Sequence, residues 1–174
     1  MLGFNTKPTS VRSPKLLSAY EVWRKELATS GLVYLDERPA FRSWGMLASV
    51  DLKSYRVRYE KIGQMIRESG FDCAGAYLDT VDLPTQEFFA AAYEGVAAWL
   101  EPVFGWYSLD DRREPDFEFT LLPISSGNNR LYVLGIESWI DPEFAKSWDE
   151  FHMHSSHQAA AGFSASRTGA KLLR

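Results

Sequence analysis

The three histidines of this 174-residue chain fall together as His152-x-His154-x-x-His157. Imidazoles at that density take up zinc or nickel. His154 and His157, at i and i+3, share a helical face, whereas His152 and His154 cannot. No cysteine lies near, and the closest acids are Asp149 and Glu150. The segment is therefore read as an exposed patch. A metal site at His152, His154 and His157 is the weaker alternative, set against the closed tetrahedral sites that zinc usually takes. The single thiol, Cys73, cannot form an internal disulfide, and it reads as a small, partly buried hydrophobe.

Paired carboxylates occur at Asp110-Asp111 and at Asp72 with Asp79, in settings that suit turns and caps. Nothing marks either pair as a general acid and base. The sequence contains no G-x-S-x-G elbow and no G-x-x-x-x-G-K phosphate loop. With every histidine beyond the last expected strand, no Ser–His–Asp arrangement is available to the core. No catalytic residue is assigned, and the chain reads as a non-enzyme. Arg56, Arg58 and Glu60 alternate with Tyr55, Val57 and Tyr59 and are read as a solvated sheet face. An anion or partner contact is the functional alternative.

Lysine plus arginine number 19 against 23 aspartate plus glutamate, a net charge of −4. That balance gives no general attraction to phosphate, so no nucleic-acid partner is expected. No stretch approaches the roughly 20 apolar residues of a membrane span, and the first residues lack the basic and apolar blocks of a signal peptide. A cytoplasmic, single-domain protein is expected. A chain of this size buries roughly 70% of its unfolded surface and needs no staple.

The elements that must carry these residues follow from periodicity. Residues 1–12 read as a flexible arm. Ser13-Pro14 opens a flanking helix within 13–31, with Leu16, Tyr20, Trp23 and Leu27 on one stripe. That stripe either packs on the chain's own sheet or pairs with a second copy as a dimer or partner interface. Strict alternation over 46–62 predicts a hairpin that turns at Asp51, Lys53 and Ser54. Gly63 to Thr80 suits brief helical turns, and a long helix follows Pro84, with Phe89, Tyr93, Val96 and Leu100 as its stripe. Three strands are expected over Val103–Leu109, around Phe117–Leu121 and over Leu131–Ile140. A short helix at 141–154 carries Phe144, Trp148 and Phe151, and 155–174 reads as a mobile tail. Without β-α-β alternation, the fold class is α+β: an antiparallel five-stranded sheet over 32–140 with its helices on one face.

Gly63 closes the second strand, and Gly70-x-Asp72-x-x-Gly75-x-x-Leu78-Asp79 follows it. Later come Leu121-x-Pro123-x-Ser125 and Leu134-Gly135. In this order the motifs resemble a bacterial PAS subfamily of short chains, over about residues 46–140. The resemblance implies a sensory or protein-interaction module in bacterial signal transduction. It implies a homodimer or signalling-protein partner, and a possible small ligand between sheet and helices. Tyr55, Val57, Tyr59, Phe89 and Tyr93 are the candidate pocket lining, and they would equally serve a closed core. No cofactor is expected. Haem is disfavoured because the core has no histidine. Photoactive flavin is disfavoured because Gly75-Ala76-Tyr77-Leu78 departs from the G-R-N-C-R-F-L-Q motif and Cys73 falls too early. The runner-up is a small-molecule enzyme on a cone-like α+β fold, which requires a buried acid or histidine among the aromatics.

Overall fold

The computed structural model describes residues 2–30, 43–68, 71–81, 85–107 and 117–139. Strand β1 (Leu2–Asn5) leads through a 3-10 turn (Pro8–Ser10) into helix α1 (Pro14–Ser30). The hairpin follows as β2 (Gly45–Asp51) and β3 (Val57–Ile62). Then come α2 (Gln64–Glu68), a second 3-10 turn (Leu78–Thr80) and α3 (Gln86–Trp99). Strands β4 (Val103–Tyr107), β5 (Phe117–Gly127) and β6 (Arg130–Trp139) complete the sheet. The order across the sheet is β1-β4-β5-β6-β2-β3, and every neighbouring pair is antiparallel.

The turns follow from local chemistry. Asp51 closes the hairpin by accepting the backbone N–H groups of Lys53 and Ser54 at 3.0 and 2.8 Å. This side-chain turn is a role aspartate fills readily. Asn128 and Asn129, both at positive φ, join β5 to β6 with the backbone twist that two-residue hairpin loops need. Gly63 sits where a Cβ would collide with the Ser43 carbonyl, and Gly75, at φ +85, occupies a conformation that side chains disfavour. Gly70 lies outside the described residues, as do the C-terminal helix and tail expected over 141–174.

One expectation is corrected. Leu2–Asn5, read as part of a flexible arm, pairs with β4 in register Leu2↔Tyr107 to Asn5↔Phe104, making the sheet six-stranded. Four residues that include a glycine carry no legible alternation, so only the partner strand reveals them. The flanking helix takes the face that the long helix leaves open. Helix α3 packs on the inner face against Val57, Tyr59, Phe117, Phe119, Leu131 and Val133. Helix α1 packs on the outer face against Leu47, Phe104, Leu122, Leu134 and Ile136.

Helix α1 is fixed to the outer face by three polar contacts as well as by its apolar stripe. The Glu118 carboxylate, on β5 and 1% exposed, accepts the Arg12 N–H at 2.9 and 3.0 Å and the Ser13 N–H at 2.7 Å. These donors lie at the helix entrance, where N–H groups lack intrahelical partners and negative charge is favoured. The Ser13 hydroxyl, expected as a cap, donates instead to Ser138 Oγ at 2.8 Å. One helical span further on, Trp23 Nε1 donates to the Pro123 carbonyl at 2.6 Å.

Replacing Glu118 by alanine strands the Arg12 and Ser13 donors, with an expected loss of about 2–3 kcal/mol in urea unfolding. Hydrogen exchange should quicken selectively at the amides of Arg12, Ser13 and the first turn of α1. Trp23→Phe, which loses one hydrogen bond, should cost about 1 kcal/mol.

Candidate functional site

The inner face of the sheet, under α3, collects most of the expected pocket lining. Val57 and Tyr59 point inward from β3. Phe89 and Tyr93 come down from α3, and all four are buried in one cluster. Tyr55 is not among them. It occupies the hairpin turn at φ +56 and is 39% exposed, because the turn ends the strand alternation two residues before Val57.

Three polar groups enter this apolar layer. Tyr93 stands over β6, where Gly135 leaves it room. A Cβ at position 135 would lie 3.4 Å from the Tyr93 hydroxyl. Tyr59, on β3 opposite Ala48, meets Phe71 edge-on, with ring centroids 6.3 Å apart. Glu137 is on β6, two residues beyond Gly135 and opposite Phe119, and its side of the strand is that of Leu131 and Val133. Tyr59 and Tyr93 are 2% and 1% exposed, and Glu137 is half-buried.

Titration follows from this enclosure. Loss of water pushes the Glu137 carboxyl from its ordinary 4.5 up to about 7, with the positive charge of Lys15 acting in the opposite direction. Burial raises both tyrosines, helped at Tyr59 by Cys73 and at Tyr93 by Tyr59. The Cys73 thiol, desolvated and beside Asp72, is pushed up to about 11, which suits an inert buried thiol. Lys15 belongs to the first turn of α1, and its ammonium lies 4.5 Å over the Trp44 ring. Burial lowers it to about 7, against the charge of Glu137. Lys15 and Glu137 thus sense each other although α1 lies on the outer face and Glu137 on the inner.

The remaining candidates are placed as follows. Leu16 and Trp23 are buried on the chain's own sheet, with Tyr20 and Leu27 packed beside them. This face of α1 therefore covers β4, β5 and β6. Arg56 makes a two-point ion pair with Asp79 at 2.8 and 3.2 Å and stacks 3.7 Å over Tyr77. Arg58 reaches Glu60 at 2.9 Å, and Ser49 donates to Glu60 at 2.6 Å. These charges pair with one another on the sheet surface. His152, His154 and His157 lie outside the described residues.

Two strands, short helical turns, a long helix and three strands, joined in one antiparallel sheet, are what the sequence motifs imply. That element order is the one the PAS resemblance implies. No family model and no curated protein matches the chain. Among solved structures, an RNA-binding light-oxygen-voltage receptor is similar at 15% identity and a TM-score of 0.39, over 92% of this chain and 42% of that receptor. This chain thus spans less than half the length of that protein. Among the described residues, no helix is long and apolar enough to cross a membrane.

Sequence reading missed Glu137, Glu118 and Lys15. The strand polar residues were expected to alternate outward, but Glu137 shares the parity of Leu131 and Val133, which was the available signal. Its raised carboxyl has a measurable consequence. The unfolded chain ionises from about 4.5 and the folded chain only near 7, so this group's contribution to stability falls as pH rises between those values. Glu137→Gln removes that loss. The stability difference between Glu137→Gln and wild type, from urea unfolding, should shift in favour of the variant between pH 5 and pH 7.

Proposed function

We propose that the chain is a PAS-type sensory module that takes a small molecule between α3 and the inner face of the sheet. One observation carries this reading: Val57 and Tyr59 from β3 and Phe89 and Tyr93 from α3 come together in one buried cluster, in the place where the PAS resemblance implies a ligand. Val57, Phe89 and Phe119 supply the apolar wall that small-molecule sites need around a few directed polar groups.

Signal output requires that occupancy favour one conformation over another. We assign that output to a partner protein or second copy in a bacterial regulatory pathway. The stripe of Leu16, Tyr20, Trp23 and Leu27 becomes an interface only if α1 lifts from the sheet. Photoactive flavin and haem are not part of this reading.

Glu137 favours a second reading, since an acid among the aromatics is what a cone-fold enzyme requires. Its surroundings speak for binding instead. Acid–base chemistry near neutrality needs a complementary group among the aromatics; Tyr59, Tyr93 and Cys73 are all pushed upward, and Lys15, lowered to about 7, belongs to α1 with its ammonium over Trp44.

Native mass spectrometry of the untagged protein from its own host tests the proposal, with an absorption spectrum of the same sample. The expected result is a discrete small-molecule mass with no visible-range band. That mass should be absent from the Tyr59→Phe/Tyr93→Phe variant, which keeps both rings in the core. A bare wild-type chain would overturn the ligand reading, and a haem or flavin spectrum would overturn the exclusion of those cofactors.

A further inference from the structure

The sheet has two edge strands, β3 and β1, and an edge presents backbone groups that no neighbouring strand pairs. Edge β3 is guarded. It carries Arg58, Glu60 and Lys61, and the chain lays its own segment along it. Tyr59 N–H donates to the Ala76 carbonyl at 2.9 Å, and Gly75 N–H donates to the Tyr59 carbonyl at 2.7 Å. Arg58 bridges to Tyr77 beside them. Edge β1, Leu2-Gly3-Phe4-Asn5, has none of these devices. It holds no charge and no proline, and among the described residues only β4 pairs with it.

The Gly3 carbonyl lies 3.1 Å from where a Cβ of Gly105, on β4, would stand. Gly3 therefore turns its backbone groups toward β4. Directions alternate along an antiparallel strand, so Leu2 and Phe4 direct their N–H and C=O groups outward. Their side chains share the inner face, where Phe4 meets Phe88 with ring centroids 5.6 Å apart. Phe4 and Trp99 both border Gly95. Leu2 and Trp99 are each 52% exposed, so apolar surface lies beside the open edge. Glu87 and Glu94 stand about 120–140° round α3 from Trp99 and leave that surface uncharged.

We infer that β1 is a docking edge for a second copy of this chain, paired antiparallel with itself about a two-fold axis at Gly3. Leu2 of one copy exchanges both backbone hydrogen bonds with Phe4 of the other, and the axis repeats the exchange. Gly3 opposes Gly3 where the strands come closest, and each Leu2 side chain lies against Phe4 and Trp99 of the other copy. An isologous contact brings every group near its own image, and a strand without charge meets that condition without repulsion. Two six-stranded sheets thus join into one. This surface is separate from the α1 stripe and does not rest on the ligand reading.

Sedimentation velocity on the full chain, diluted stepwise from a concentrated stock, should show a monomer–dimer equilibrium. Hydrogen exchange should protect the Leu2 and Phe4 amides in the dimer and release them on dilution, while β4 stays protected. Leu2→Pro removes an N–H that the monomer leaves unused and the dimer uses twice. It should weaken association by about tenfold or more. Trp99→Ala, at a half-exposed position, should weaken it by about as much. Both variants should keep the thermal midpoint of the dilute wild-type monomer. A chain that stays monomeric at its highest concentration overturns the inference, and so does a dimer that Leu2→Pro leaves unchanged. Protection of the Leu2 and Phe4 amides in the monomer also overturns it, since another segment of the chain would then occupy the edge.

Discussion

Strand β5 is buried on both faces. Phe117, Phe119 and Leu121 press toward α3, while Glu118, Thr120 and Leu122 lie on the side covered by α1. A strand with that pattern cannot stay in water on either side. The chain must therefore supply a layer for each face, and most of the structure answers this requirement. Helix α3 and the aromatic ring cluster supply the inner layer. Helix α1, whose stripe was the alternative interface for a second molecule, supplies the outer one. Burying a large apolar side chain such as Leu16 contributes about 1.5–3 kcal/mol, so its own sheet is a strong competitor for that stripe.

Two glutamates on the sheet show how context decides what a carboxyl does. Glu118 is satisfied by N–H donors at the entrance of α1, so its burial becomes an anchor for the outer layer. At Glu137 desolvation outweighs the opposing charge of Lys15, and the carboxyl is raised to about 7. The first arrangement builds structure, and the second makes stability depend on pH.

The placement of Lys15 joins these two regions. It sits in the first turn of α1, one turn or less from the donors that Glu118 holds, and its charge acts on Glu137. The titration of a carboxyl on the inner face is therefore tied to the entrance of the helix on the outer one.

Much of the fold was legible before any coordinates. The period-two run from Val57 to Glu60, the helical stripes around Leu16 and Tyr93, and the turns at Asp51 and Asn128-Asn129 depend on neighbours a few residues away. Local spacing is enough to specify them. Strand β1 was not legible, because four residues with a glycine carry no period and form a strand only through β4. The site was half legible. Val57, Tyr59, Phe89 and Tyr93 were marked by their spacing, while Tyr55 was assigned inward by an alternation that the turn interrupts. Which face of the sheet α1 covers and which of two glutamates finds its donors are outcomes of packing between residues far apart in sequence. The sequence by itself determined the elements and the apolar stripe each one carries. Only the tertiary structure decided where those stripes and the buried charges meet, because pairing energy depends on geometry that no local pattern encodes.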